Sequence, residues 1–193
     1  MLYSRRDLLK LGVGAGAALA LGRDVLGATP ALLQEGQLLK AIPSTGETIP
    51  AVGLGTASTF ASAAGTPEEH AELREVLRLF TDLGGAVIDT APSYGRGSSE
   101  ETLGELIRGI GNADEIFMAT KISRAEGREA GMAQVQQSEE RLAPCTIDLN
   151  QVHNLGDWQT QLPLLRELKE EGRVRYVGIT TSSDRQYEDL AQI

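Results

Sequence analysis

The sequence predicts an α/β fold built on a parallel sheet, and two observations predict it. After a polar stretch at residues 37–50, short β-branched and apolar runs alternate five times with stretches whose apolar residues recur at helical spacing. Strict alternation of strand and helix is typical of a parallel sheet with helices outside it. In addition, Asp89, Lys121 and His153 each follow or end a predicted strand, and they are 32 residues apart in both intervals (121 − 89 and 153 − 121).

This equal spacing favours a closed barrel over an open doubly wound sheet, although both architectures give the alternation. Thr56 lies 33 residues before Asp89, so four residues occupy matching positions in successive units. Catalytic side chains of a (β/α)8 barrel lie at the carboxyl ends of its strands. We therefore predict a TIM-type (β/α)8 barrel domain over residues 29–193. A complete barrel takes about 250 residues, so we expect about five of the eight units and a domain that is incomplete at its carboxyl end.

The elements are predicted in chain order from turn, cap and periodicity signals. Residues 37–50 form a polar hairpin, and the alanine-rich residues 57–64 form a loop. Two capping boxes begin helices, at Thr66–Glu69 with a proline inside and at Ser98–Glu101. Further helices run from Arg128 to Leu142, from Asp157 to Gly172, and from Ser183 onward. The predicted strands are residues 52–56, 86–91, 116–121, 147–153 and 175–180.

Residues 1–28 are predicted to be a targeting segment and not part of the fold. Ser4-Arg5-Arg6-Asp7-Leu8 resembles a twin-arginine export signal, and a weakly apolar, glycine-broken run follows it. This run is too short to span a bilayer comfortably. We expect export to the periplasm or the medium by the twin-arginine machinery, with no stable membrane anchor.

Charge and composition exclude several classes of function. The net charge is −9, which argues against nucleic acid because phosphate binding needs clustered Lys and Arg. The chain has one cysteine, Cys145, and two histidines, His70 and His153, so we predict no metal site.

Asp89, Tyr94, Lys121 and His153 can meet at one edge of the predicted sheet. Tyr94 lies in the loop after the strand that ends near Asp89. An aspartate beside a lysine holds the ammonium in place, and a fixed ammonium stabilises a neighbouring phenolate. A nearby imidazole can orient a carbonyl group. This set can protonate a carbonyl oxygen, but none of its members carries hydride, so a cofactor is required.

The stretch Asp89-Thr-Ala-Pro-Ser-Tyr94-Gly-Arg-Gly-Ser-Ser-Glu-Glu-Thr-Leu103-Gly104 resembles the signature of the aldo/keto reductase family. Ala119-Thr-Lys121 and Leu149-Asn-Gln-Val-His153 are similar to that family's lysine and histidine strands. Val52-Gly-Leu-Gly-Thr56 is similar to its first strand.

The resemblance implies reduction of an aldehyde or ketone to an alcohol. Tyr94 would be the general acid, with Asp89, Lys121 and His153 as the other catalytic residues. NADPH is the usual hydride donor of the family, and NADH is not excluded. The implied cofactor-binding residues are Gly55, Thr56, Asp89, Thr180 and Thr181. Thr180-Thr181 departs from the Ser-Asn pair that holds the nicotinamide carboxamide in the family.

Two other interpretations stay open at this stage. A lyase could use Lys121 as a Schiff-base nucleophile on the same barrel, although pairing with Asp89 would keep its ammonium charged. Alternatively, the chain could be a truncated, catalytically incompetent barrel or a binding module. The substrate, the direction of the reaction and the oligomeric state do not follow from the sequence.

Overall fold

The computed structural model describes residues 37–62 and 66–193, which begin with a small antiparallel hairpin. Strand β1 (Leu39–Ala41) pairs with strand β2 (Thr48–Pro50), so the predicted hairpin is confirmed. The turn between them contacts the last strand of the main sheet. The Thr45 hydroxyl lies 2.9 Å from the Tyr176 phenol, and Glu47 pairs with Arg175. The hairpin therefore lies at the amino end of that strand, opposite the end that holds the candidate site.

The main sheet has five parallel strands whose spatial order is their chain order. The strands are β3 (Leu54–Gly55), β4 (Val87–Asp89), β5 (Phe117–Ile122), β6 (Ile147–Val152) and β7 (Tyr176–Ile179). Each predicted strand is confirmed, and the two shortest, β3 and β4, are each three residues shorter than predicted. Within the described residues β3 and β7 are the outer strands, so the sheet is open at both of these edges.

Six helices in the described residues connect or follow these strands. They are α1 (Thr59–Ser62), α2 (Pro67–Asp82), α3 (Ser98–Ile110), α4 (Arg128–Leu142), α5 (Trp158–Glu170) and α6 (Tyr187–Leu190). Helix α1 is a single turn within the stretch that we predicted to be a loop. The bounds predicted for α4 are the observed ones, and the helix predicted from Ser183 begins as a 3-10 turn before α6.

One of the two predicted capping boxes is confirmed and the other is wrong. Thr66 accepts a hydrogen bond from the Glu69 amide, and the Glu69 carboxylate accepts one from the Thr66 amide. At α3 the N-cap is Gly97, whose φ of 101° puts it in the left-handed region. The Ser98 hydroxyl instead donates to the carbonyl oxygen of Ala61, because the loop that carries it packs against α1.

The core lies between the sheet and its helices. Fully buried side chains of the strands pack against those of the helices, among them Ile88, Met118, Leu77, Leu103 and Leu165. Strand β6 shows how one-sided this burial is. Asn150 and Val152 are fully buried, whereas Gln151 between them is half-buried. The second face of the sheet, which would be the interior of a closed barrel, is thus only partly covered within the described residues.

The predicted targeting segment, residues 1–28, lies outside the described residues, and its role stays a prediction. Among the residues that are described, no helix is long and apolar enough to cross a membrane.

Candidate active site

The carboxyl ends of β4 and β5 bring Asp89 and Lys121 into contact. Lys121 Nζ lies 2.6 Å from Asp89 Oδ1, and it also donates to the carbonyl oxygen of Thr90 at 2.7 Å. The lysine side chain is only 5% exposed, whereas the aspartate side chain is 41% exposed. The strands therefore hold one buried ammonium in a fixed position, with a partly solvated carboxylate beside it.

Tyr94 lies over this ammonium, with the centre of its ring 5.1 Å from Lys121 Nζ. The loop that carries Tyr94 needs left-handed backbone at Gly95, where φ is 59°. A Cβ at Gly95 would lie 2.1 Å from Ser98 Oγ and 2.7 Å from the carbonyl oxygen of Ala61. Glycine is therefore required for the tight turn that places the phenol above the strand ends.

His153, directly after β6, is the fourth member of the group formed with Asp89, Tyr94 and Lys121. Its ring lies edge-on to the Tyr94 ring, with 5.9 Å between the ring centres and 85° between the planes. His153 Nδ1 lies 2.7 Å from Ser123 Oγ and 3.4 Å from Ser93 Oγ. Burial lowers the pKa of His153 below its usual 6.5, and the charge of Lys121 lowers it further against the opposing effect of Asp89. His153 is thus neutral at pH 7.

The chain after His153 makes a turn with left-handed backbone that was not predicted from the sequence. Asn154, Leu155 and Asp157 have φ angles of 54°, 55° and 47°. Non-glycine residues adopt this region at an energetic cost, and asparagine and aspartate adopt it most readily. Asp157 does occupy the N-cap position of α5, as predicted. Its carboxylate accepts hydrogen bonds from the Gly127 amide, the Thr160 hydroxyl and the Gln161 side chain.

Gly55 of β3 and Thr56 directly after it, both predicted to bind the cofactor, differ in exposure and in hydrogen bonding. Gly55 is exposed opposite Asp89 in the sheet register, and a Cβ built there would meet nothing within 4 Å. Thr56 is fully buried. Its hydroxyl donates to the carbonyl oxygen of Asp89 at 3.0 Å and accepts from the Ser99 hydroxyl at 2.9 Å. Thr56 therefore fixes the backbone of Asp89, while Gly55 leaves open space beside the carboxylate.

The hydroxyls of the two predicted cofactor residues after β7 are already engaged, that of Thr180 with the turn after β6 and that of Thr181 within its own loop. Thr180 Oγ1 accepts from the Asn154 amide at 3.2 Å. Thr181 Oγ1 donates to Gln186 Oε1 at 2.6 Å and accepts from the Ser183 amide at 3.1 Å. Thr180 Oγ1 also donates to the Val152 carbonyl at 3.5 Å, so either threonine would have to release its present acceptor before donating to a carboxamide oxygen.

A cavity of about 190 Å³ opens beside the imidazole. Its lining is Ser93, Ser123, Arg124, His153, Asn154 and Gly156. Ser123 and Arg124 were not among the site residues predicted from the sequence. The same reasoning from strand ends could have found both, because they follow Lys121 by two and three residues. Within the described residues, no group of three or more His, Cys, Asp or Glu side chains is placed to hold a metal ion.

Side chains outside this group take structural roles. Cys145 lies in the core, and the half-buried Trp158 packs against it. Arg173 pairs with Glu139, and Arg175 pairs with Glu47 and Asp148.

The fold and this site together define a class of protein: a parallel strand–helix barrel with a Tyr-Lys-Asp-His group at the carboxyl ends of its strands. The chain belongs to the aldo/keto reductase family, whose family model matches residues 51–192. The family fold is the (β/α)8 barrel, and the described residues contain five of its parallel strands.

Individual relatives agree with this assignment. The chain is 32% identical over 164 residues to the aldo-keto reductase YhdN of Bacillus subtilis, with 79% of this chain and 49% of the relative covered. It is 30% identical over 151 residues to the NADP(+) aldo-keto reductase yakc of Schizosaccharomyces pombe, with 71% and 44% covered. The chain thus spans about half the length of the curated relatives it matches.

A solved structure shows the same likeness in three dimensions. The aldo-keto reductase of Klebsiella pneumoniae in complex with NADPH superposes with a TM-score of 0.66 at 26% sequence identity. The superposition covers 80% of this chain and 54% of the Klebsiella chain.

Proposed function

We propose that the protein reduces an aldehyde or ketone to an alcohol with NADPH as the reductant, and that Tyr94 is the proton donor. One observation carries the proposal: the centre of the Tyr94 ring lies 5.1 Å from the Lys121 ammonium and 5.9 Å from the centre of the His153 ring. An ammonium beside a phenol favours the phenolate that remains after proton donation. Nothing else in the group fits a proton donor as well, because Lys121 is held by Asp89 and His153 is neutral.

Each residue then has a defined task. When bound, NADPH supplies the hydride that the carbonyl carbon accepts. Tyr94 Oη donates its proton to the carbonyl oxygen, so that the product is the neutral alcohol and the phenolate is left on the enzyme. Lys121 stabilises that phenolate, Asp89 holds Lys121, and the His153 imidazole orients the carbonyl group.

Some of the residues at the strand ends are suited to bind the nicotinamide end of the cofactor. Open space at Gly55 lies next to Asp89, which supports a cofactor seated over β3 and β4. Thr180 and Thr181 lie at the carboxyl end of the last strand, β7. We propose that they hold the carboxamide after exchanging their present hydrogen-bond partners. The relatives named with NADP(+) and NADPH make NADPH the cofactor to test first.

A label experiment tests the reduction directly. The protein is incubated with an aromatic aldehyde and NADPH in which both hydrogens at C4 of the nicotinamide are deuterium. We expect one deuterium on the carbinol carbon of the product by mass spectrometry. An alcohol without the label, or no alcohol at all, contradicts the proposal.

A separate incubation with the aldehyde but without NADPH distinguishes the lyase interpretation. The Lys121 ammonium donates to both Asp89 and the Thr90 carbonyl, which disfavours the neutral amine that a Schiff base needs. Borohydride added with the aldehyde should therefore leave Lys121 unmodified in a peptide map. A covalent adduct on Lys121 would favour the lyase instead.

We further propose export by the twin-arginine route, with the cofactor bound before translocation. This rests on Arg5 and Arg6 in the amino-terminal segment. Replacing both with lysine should retain the protein inside the cell, as measured by fractionation with and without the substitutions. Equal periplasmic amounts of the two proteins would exclude this route.

A further inference from the structure

We infer that Arg124 selects carbonyl substrates that carry an anionic group, a carboxylate or a phosphate, close to the carbonyl. This inference rests on the proposed function, because it names the substrate class of the same site. Arg124 lines the cavity that also contains His153, and it follows the Lys121 strand by three residues. Its guanidinium can donate two parallel hydrogen bonds to a carboxylate or phosphate.

The loop that carries Arg124 is fixed on both sides. The Gln134 side chain accepts from the Ser123 amide at 2.5 Å and donates to the Ser123 carbonyl at 2.9 Å. On the other side, the Gly127 amide donates to Asp157, and Gln161 donates to the Gly127 carbonyl at 3.0 Å. Arg124 itself has a φ of 55°, an uncommon conformation for a residue with a side chain. Such a conformation persists only where the surroundings impose it, and it clusters at functional sites.

The charges around the cavity favour an anion at this position. Within residues 37–62 and 66–193, no carboxylate forms an ion pair with Arg124. The cavity beside His153 contains no Asp or Glu in its lining, and His153 is neutral at pH 7. Arg124 is therefore the one charge that lines it.

A second cavity, of about 540 Å³, shares Arg124 and Gly156 with the first. Its lining includes two acidic residues, Glu126 and Asp157, so it disfavours an anion. The anionic end of a substrate is thus directed to the smaller cavity, next to the imidazole that orients the carbonyl. In a chain of net charge −9, one local cation is needed to attract an anionic substrate at all.

Two aldehydes that differ in one charge test the inference: 4-formylbenzoate and its methyl ester. The readout is the ratio of kcat/KM for the acid to kcat/KM for the ester. Arg124→Met should lower this ratio about tenfold or more, mainly through KM, because the anionic group loses its charged hydrogen-bond donor. Arg124→Lys should retain part of the preference. Arg166→Met, which removes an exposed arginine of α5, is the matched control and should leave the ratio unchanged.

Binding without turnover separates this inference from the proposed function. Isothermal titration calorimetry measures this binding directly and needs no reaction. Titration with 4-formylbenzoate in the absence of NADPH should give a dissociation constant that Arg124→Met raises about tenfold.

The two measurements have distinct outcomes. If neither aldehyde is reduced, the proposed function fails, and the titration still decides the role of Arg124. If both aldehydes are reduced and Arg124→Met changes neither the ratio nor the dissociation constant, Arg124 is only a solvated surface charge. The inference is then overturned while the proposed function stands.

Discussion

The Lys121 ammonium lies 2.6 Å from the Asp89 carboxylate, although the lysine side chain is almost fully buried. The same ammonium lowers the pKa of His153, second only to burial as a cause. One charge from β5 therefore acts on residues of the two neighbouring strands. The chemistry proposed for this site depends on that charge staying in place.

Lys121→Met is expected to raise the pKa of His153. The substitution removes a positive charge that disfavours the imidazolium, while the opposing Asp89 charge remains. A pH titration of the His153 ring by NMR, with His153→Gln to assign the resonance, measures the change. Lys169→Met, on the exposed face of α5, is the control and should leave the titration as it is. An unchanged His153 titration in Lys121→Met would show that the two groups do not interact.

Protonation of His153 should make the protein less stable in mildly acidic solution. The pKa of this residue is lower in the folded protein than its usual 6.5, so below that pH the unfolded chain binds a proton that the folded chain does not. Stability is therefore full above pH 6.5 and falls as the pH is lowered through 6.5 toward the folded pKa. Urea midpoints should fall over this range in the unsubstituted protein and fall less in His153→Gln. Equal losses in the two proteins would contradict this linkage.

Two glycines of α3 should respond in opposite ways to alanine. A Cβ at Gly104 would lie 1.9 Å from the carbonyl oxygen of Arg141, because α3 and α4 approach closely there. We expect Gly104→Ala to destabilise the protein by about 1–3 kcal/mol. A Cβ at Gly109 would meet only the flexible end of Arg74, at 3.1 Å. Gly109→Ala should be neutral or stabilise by about 0.5–1 kcal/mol, the usual gain in a helix. Thermal unfolding of both variants tests this prediction. Equal shifts in melting temperature would contradict the difference in packing between the two glycines.

The single cysteine should be unreactive in the folded protein. Burial raises the pKa of Cys145 to about 11, and the nearby Asp148 carboxylate contributes in the same direction. At pH 8 the thiolate that attacks disulfide reagents is therefore scarce, and the side chain is almost inaccessible. A colorimetric thiol assay should show slow reaction in buffer and fast reaction in denaturant. Fast reaction of the native protein would mean that this part of the core opens readily.

The sequence predicted the site well where residue type and spacing determine position. Asp89, Lys121 and His153 lie at strand ends, and equal spacing brings them to the same edge of a parallel sheet. Five strands in chain order also followed from the alternation of strand and helix. These features depend on periodicity, which can be recognised in the sequence without knowledge of the packing.

Other features depend on packing and could not be predicted from local pattern. The segment Ser98–Glu101 has the composition of a capping box. Gly97 caps the helix instead, because the loop that carries Tyr94 packs against α1 and orients Ser98 toward Ala61. The predicted role of Thr56 at the cofactor stays a prediction. Its hydroxyl is engaged with Asp89 and Ser99, and Ser99 comes from an element 43 residues away.

The central claim is that Tyr94 donates the proton in an NADPH-dependent carbonyl reduction. The most direct test is the rate of NADPH oxidation with an aldehyde in Tyr94→Phe, compared with Tyr187→Phe, which removes the hydroxyl of an exposed tyrosine of α6. We predict that kcat falls about 10²–10⁴-fold in Tyr94→Phe, the usual contribution of a general acid, with an unchanged dissociation constant for NADPH. Tyr187→Phe should retain the full rate. Equal rates in the two variants, or no aldehyde-dependent oxidation in the unsubstituted protein, would contradict the claim.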